Sequence, residues 1–150
     1  MASPAIKNLL NYYNNAEVTL LGSYISIAIL KNHSQVKRAE VLDKKYKSIY
    51  NLSRSLGKFD TFFSFRNSFR SKYLKLLIKS NDKFQFNSNK YNNLHLVEKY
   101  NSFINDSLNT NFKAGELKLN LENYPNSTPL VGINPGASYG DSKRWYPKEF

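Results

Sequence analysis

Short apolar runs alternate with stretches of helical periodicity along most of this chain, and that alternation narrows the folds open to it. Pro4 marks a helix start followed by Ile6, Leu9, Leu10 and Tyr13 on one face. Glu17-Val-Thr-Leu-Leu-Gly22 reads as a strand, Ile25 to Leu30 as a short helix and Ala39 to Leu42 as a short strand. Tyr46, Ile49, Tyr50, Leu52 and Leu56 make a helical face that Gly57 ends. Phe59 to Phe65 is an aromatic strand, Ser68 to Ile78 an amphipathic helix, Lys83 to Phe86 a strand and Leu94 to Leu108 a further helix. Strands and helices in this rhythm predict an α/β fold: a Rossmann-like parallel sheet with flanking helices.

Parallel sheets of this kind bind ligands past the carboxyl ends of their strands. Three loops are then candidates: Gly22 to Tyr24, Phe65 to Phe69, and Asn134 to Arg144. In the second, Arg66, Arg70 and Lys72 suit an acidic or phosphorylated group, with Asn67 and Ser68 adding neutral hydrogen bonds. The same residues equally describe an ordinary helix cap beside a solvated basic face.

The third loop follows a short apolar run, Leu130 to Ile133, and carries Gly136 and Gly140 before Lys143, Arg144, Trp145 and Pro147. A strand, a small-residue loop and a helix start make an anion site, because free N–H groups and the positive helix end face the loop. Its spacing is neither a Walker loop nor Gly-x-Gly-x-x-Gly. Lys143 is the natural counter-ion for a phosphate, and Ser138 and Ser142 either donate to the anion or cap the helix. A helix opening at Pro147 has barely begun at Phe150, so the chain reads as cut inside a unit. From Asn109 to Pro129 it is polar and turn-rich, apart from an alternation at Leu117, Leu119 and Leu121. That region is expected to be an interdomain linker or edge strand.

The net charge of +11, from 22 basic and 11 acidic residues, favours anionic partners. An AT-rich genome, which enriches Lys, Asn, Tyr, Ile and Phe together, accounts for it equally well. No run approaches the ~20 apolar residues of a membrane span. The absence of cysteine excludes disulfides, thiolate metal sites and cysteine nucleophiles. His33 and His95 stand alone, without partners at metal-ligand spacing, and no Ser-His-Asp or paired-carboxylate pattern is present. No general base is assigned from the residues.

Three segments carry a resemblance. Gly132-Ile-Asn-Pro-Gly-Ala-Ser-Tyr-Gly-Asp-Ser-Lys-Arg-Trp-Tyr-Pro147 resembles the interdomain motif of the ADP-heptose:lipopolysaccharide heptosyltransferases, in particular the heptosyltransferase II group of glycosyltransferase family 9. Met1 to Ala5 looks like the helix start after that family's first strand and Gly-Asp loop. Arg66-Asn-Ser-Phe-Arg-Ser71 looks like its Asn-Ser-Phe-basic-Ser segment. The resemblance implies the amino-terminal half of a two-domain, B-type glycosyltransferase. Residues 1–125 would form the acceptor-side domain, incomplete at its start and lacking its first strand. Residues 126–150 would begin a nucleotide-sugar domain.

It further implies transfer of heptose from ADP-heptose to a Kdo-lipid A type lipopolysaccharide core acceptor, on the cytoplasmic face of the inner membrane of a Gram-negative bacterium. The enzyme would be held there peripherally. Lys143, Ser138 and the backbone near Tyr139 would meet the donor pyrophosphate, and Arg66, Ser68 and Arg70 the acidic acceptor. Neither metal nor cofactor is implied. The family's proposed base is the Asp of the Gly-Asp loop, placed before Met1, so the catalytic residue is unknown and no turnover is expected of these residues alone. Three alternatives stand beside this reading: a related glycosyltransferase with another sugar or acceptor, a remnant without a role, and a basic module for nucleic acid. The last predicts aromatic and basic residues interleaved on one sheet face.

Overall fold

A computed structural model describes residues 1–117 and 148. The chain opens with α1 (Ser3–Tyr12), where Pro4 sits in the first turn, a place that needs no N–H from it. Then follow β1 (Val18–Gly22), α2 (Tyr24–Leu30), β2 (Val36–Val41), α3 (Tyr46–Ser55), β3 (Lys58–Ser64), α4 (Phe69–Leu77), β4 (Lys79–Gln85), a 3-10 turn over Ser88–Tyr91, and α5 (Leu96–Leu108). The elements alternate in the order expected. β1 pairs with β2 and β3 with β4, both in parallel, each through an intervening helix.

Two strands start earlier than the apolar pattern shows. β2 begins at Val36 rather than Ala39, and β4 at Lys79 rather than Lys83. Apart from Val36, their leading residues are polar, and backbone pairing rather than side-chain burial defines them. Lys79 lies opposite Lys58, and Asp82 opposite Thr61. At Ile78 the backbone swings to ψ 130, so α4 passes straight into β4 without a loop. β2 leaves Lys37, Arg38 and Val41 exposed, as suits an outer strand.

The parallel strands form two separate pairs among the described residues. Among the described residues, each of β1 and β3 has one edge paired and the other unpaired. Helices pack against the pairs in two clusters. On one side Ala5 of α1 meets Phe86 and, from α5, Phe103 and Ile104, with Leu9, Phe63, Phe65 and Phe84 packed around them. On the other, Ile49 of α3 meets Leu74 and Ile78, and Leu21 of β1 joins Phe59 and Phe62 of β3 against them. Leu21 and the β3 rings thus share one cluster although their strands do not pair. All five residues of β1 stay half-buried. A strand buried on both faces and paired on both edges would be covered more fully.

Helix ends are fixed locally. α3 stops before Gly57, whose φ of +79 lies in the left-handed region that glycine enters without strain. α5 opens on a capping box: His95 Nδ1 accepts from Val97 N–H, and Glu98 accepts from the His95 N–H. His95 is therefore a cap, and His33 Nδ1 accepts from Gln35 N–H.

The segment after α5 is tied down as far as Lys113. Asn101 and Asn105 side chains donate to the Phe112 carbonyl at 2.6 and 2.9 Å, and Asn8 donates to Asn101 and to the Lys113 carbonyl. Its first residues thus belong to the α1–α5 packing. The rest of the expected linker beyond Leu117, the boundary at 125/126 and the Leu130 to Ile133 strand lie outside the described residues.

Candidate functional site: the β3–α4 loop

β3 carries the chain to Ser64, and α4 begins at Phe69, leaving a four-residue turn at the carboxyl end of the strand. Ser68 is the N-cap, extended at ψ 159, and its Oγ accepts from Ser71 N–H at 3.3 Å. The capping reading of Ser68 therefore holds. The hydroxyl's own proton is directed to Ser71 Oγ at 3.3 Å.

The turn is held through a single carbonyl. Ser64 Oγ, Ser71 Oγ and Gln85 Nε2 all lie within 3.0–3.1 Å of the Arg66 oxygen as donors. Ser71 Oγ also lies 2.7 Å from the Ser68 carbonyl, so its one proton is shared between two acceptors, while Gln85 Nε2 donates back to Ser71 Oγ at 3.2 Å. Gln85 reaches the loop because β4 runs parallel to β3 with Gln85 opposite Ser64. Ser64, Ser71 and Gln85 are positioning residues that the sequence reading did not single out. Ser71 ended the quoted motif; Gln85 carried no sequence signal, since only the strand register brings it there.

With the backbone fixed, Arg66, Asn67, Ser68 and Arg70 point to solvent. Neither arginine side chain makes an ion pair or hydrogen bond among the described residues. Lys72 lies 5.8 Å over the Phe69 ring. The segment from Phe65 to Lys72 has no carboxylate and no histidine. Two unpaired guanidiniums beside hydroxyl and amide donors bind a carboxylate or phosphate well, but nothing here accepts a proton. The loop is equipped for recognition of an anion.

The Gly22–Tyr24 loop sits at the matching end of β1. Ser23 caps α2, its Oγ 2.9 Å from Ser26 Oγ, and a Cβ at Gly22 would meet Ser26 Cβ at 3.3 Å. It offers a close approach of backbone to helix and no charged group. Lys143, Ser138 and Tyr139, with the rest of the Asn134–Arg144 loop, lie outside the described residues.

The remaining ionisable cluster is structural. Asp106 of α5 accepts from Tyr91 Oη at 2.8 Å and pairs with Lys90 at 2.6 Å. The bond from Lys90, then that from Tyr91, holds the Asp106 carboxyl below its usual range. Burial, reinforced by Asp106, pushes the Tyr91 phenol up. These side chains line an open cavity of 250 Å³ together with Lys83 and Gln85. No group of three metal-ligating side chains occurs among the described residues.

The aromatic residues of β3 do not form an exposed platform. Phe63 and Phe65 pack against Phe103 at 6.4 and 5.7 Å between centroids, while Phe59 and Phe62 join the α3–α4 cluster. The interleaved surface expected of a single-strand binder is absent from β3.

Along 97% of its length the chain is 37% identical to the lipooligosaccharide heptosyltransferase 2 of Campylobacter jejuni subsp. jejuni serotype O:2. It is 36% identical, over the same share, to the protein of that name from serotype O:6. It spans about half the length of these curated relatives, 48% in each case. The resemblance to heptosyltransferases and the α/β fold expected with it are borne out. No protein-family model and no solved structure matches the chain.

Proposed function

We propose that this chain is the acceptor-side part of a glycosyltransferase that moves heptose from ADP-heptose onto the inner core of a lipopolysaccharide or lipooligosaccharide. The observation that carries this reading is the similarity to heptosyltransferases along 97% of the chain. The basic loop fits it, since Arg66 and Arg70 have no ion-pair partner among the described residues and stand on a backbone fixed by three donors.

In this reading residues 1–125 form the acceptor-side domain and residues 126–150 begin the nucleotide-sugar domain. Arg66 and Arg70 grip carboxylate or phosphate groups of a Kdo-bearing acceptor, and Ser68 Oγ accepts from a neighbouring sugar hydroxyl. Lys143, with Ser138 and the backbone at Tyr139, neutralises the donor diphosphate. The acceptor hydroxyl attacks the anomeric carbon, the bond from that carbon to the phosphate oxygen breaks, and ADP departs with the electron pair. A general base takes the hydroxyl proton. None of these 150 residues is assigned that role. The enzyme works on the cytoplasmic face of the inner membrane, bound peripherally.

The test is acceptor binding by the purified chain. Delipidated core oligosaccharide is titrated against the chain and against Arg66→Ala/Arg70→Ala. Two lost charge-assisted contacts, each of roughly 1.5–3 kcal/mol, predict at least a tenfold weaker affinity. Equal affinity for both chains removes this loop from the acceptor site.

A further inference from the structure

An asparagine followed by a small residue can lose its side-chain amide to its own backbone, because the next peptide nitrogen is held within reach of the side-chain carbonyl. The step needs both groups unengaged and outside a helix. Three Asn-Ser pairs lie among the described residues, at Asn67, Asn87 and Asn101. Asn101 is buried inside α5, and its amide donates to the Phe112 carbonyl. Asn87 caps the 3-10 turn, its Oδ1 accepting from Asn89 N–H at 3.2 Å. The similar Asn32-His33 step is closed as well, since His33 N–H donates to the Leu30 carbonyl. Asn67 differs from all of these. It is exposed and stands before the cap of α4, and among the described residues neither its side chain nor the Ser68 N–H has a hydrogen-bond partner.

The bonds that hold this turn pass on either side of the reacting atoms. On one side three donors fix the Arg66 carbonyl. On the other, Ser68 Oγ accepts from Ser71 N–H and the Ser68 carbonyl accepts from Lys72 N–H. Electrostatics favour the step. Attack requires the Ser68 nitrogen to shed its proton, and it places negative charge on the Asn67 side-chain oxygen. Both anionic forms arise at the positive end of α4, and the segment from Phe65 to Lys72 holds Arg66 and Arg70 but no carboxylate.

We infer that Asn67 is a site of spontaneous deamidation, and that the acid formed there shuts the loop against anions. The Ser68 nitrogen gives its proton to solvent and bonds to Asn67 Cγ. The bond from Cγ to Nδ2 breaks, and ammonia leaves with the electron pair and a proton from solvent. Water then opens the cyclic imide. Opening at Cγ leaves aspartate in the normal chain; opening at the main-chain carbonyl leaves isoaspartate, with the backbone running through the side-chain carbon. Either product sets a carboxylate between Arg66 and Arg70 in the chain, where an internal ion pair competes with an outside anion. The modification rests on the turn alone, whereas its effect on binding rests on the acceptor-side reading.

The purified chain is stored for days in mildly alkaline heavy-oxygen water, so that acid formed in storage carries the label and acid formed during digestion does not. Peptide masses then give the conversion at Asn67, Asn87 and Asn101, in the folded chain and in urea. In the folded chain Asn67 should convert at least tenfold faster than either of the others. In urea the three pairs lose their different surroundings and should convert at similar rates. Fresh, stored and Asn67→Asp chains are also titrated with delipidated core oligosaccharide. The stored and substituted chains should bind at least tenfold more weakly than the fresh one. Asn67→Gln, whose longer side chain does not cyclise readily, should bind equally before and after storage.

The inference falls if Asn67 of the folded chain keeps its amide, or converts no faster than Asn87. It falls too if the same ratio persists in urea, since sequence and not the turn would then decide the rate. Undiminished binding by Asn67→Asp overturns the closure of the loop. A fresh chain that binds no oligosaccharide sinks the acceptor reading instead, and the conversion at Asn67 stands without it.

Discussion

The Arg66 carbonyl shows how much of a binding loop is decided by residues that never face the ligand. Three side-chain donors converge on it from β3, α4 and β4. Gln85→Ala removes two of the contacts that lock the turn, the bonds to Arg66 and to Ser71. A net loss of about 1 kcal/mol is expected, since each partly exposed bond contributes modestly. Thermal melts measure that cost. Oligosaccharide titration should show weaker binding although no charge has changed, and unchanged binding would make Gln85 a packing residue only. Asp106 gives a pH-dependent counterpart. Its folded carboxyl is held below the 3.8 of the free group, first by Lys90 and then by Tyr91. The stability it supplies is therefore present above that value and lost as pH falls through the lower folded value. Lys90→Ala should move the Asp106 carboxyl up towards 3.8, followed by NMR titration. The stability change should be at most about 1 kcal/mol, because both partners are open to solvent.

At the scale of elements, caps and turns set where each helix can begin and stop. Ser68 starts α4 through its bond from Ser71 N–H, so Ser68→Ala should cost about 1 kcal/mol in a denaturant melt. Gly57 closes α3 at φ +79 with nothing within 4 Å of where a Cβ would sit. Gly57→Ala is thus free of steric contact, and any loss of stability comes from the backbone conformation alone, expected at about 1 kcal/mol. A loss well above that would mean that α3 and β3 shift relative to each other. Both residues were visible as punctuation in the sequence, because caps and left-handed turns depend on one or two local residues. The starts of β2 and β4 were not visible. Lys37, Arg38 and Ser80 to Asp82 lack apolar alternation, and only the facing strand makes them part of a ladder.

For the whole molecule, the α3–α4 cluster joins the two parallel pairs, through Leu21 of β1 and Phe59 and Phe62 of β3, while α1 and α5 pack on the β3–β4 pair. Ile104, wholly buried among Ala5, Phe86 and Phe103, sits where α1, β4 and α5 meet. Ile104→Ala should cost ~2–5 kcal/mol and lower the melt of the whole chain. The edges of β1 and β3 that have no partner strand among the described residues predict a different signature. In hydrogen exchange, amides on those edges should exchange faster than amides bonded within the β1–β2 and β3–β4 ladders. Equal protection throughout would mean that the edges are covered in solution, by self-association or by residues beyond Leu117.

The sequence by itself determined the order and kind of the elements and the parallel pairing of the strands. It also marked Arg66, Ser68 and Arg70 as one loop at a strand end. These follow from periodicity, capping chemistry and the rule that crossovers between parallel strands run one way, all of which act over a few residues. Tertiary structure alone decided that the strands stand as two pairs and that Gln85 braces the Arg66 turn. It also decided that Phe59 and Phe62 turn inward while Phe69 stays outside. Those outcomes depend on which distant segments meet, and strand register and helix packing are set by surfaces that come together only on folding.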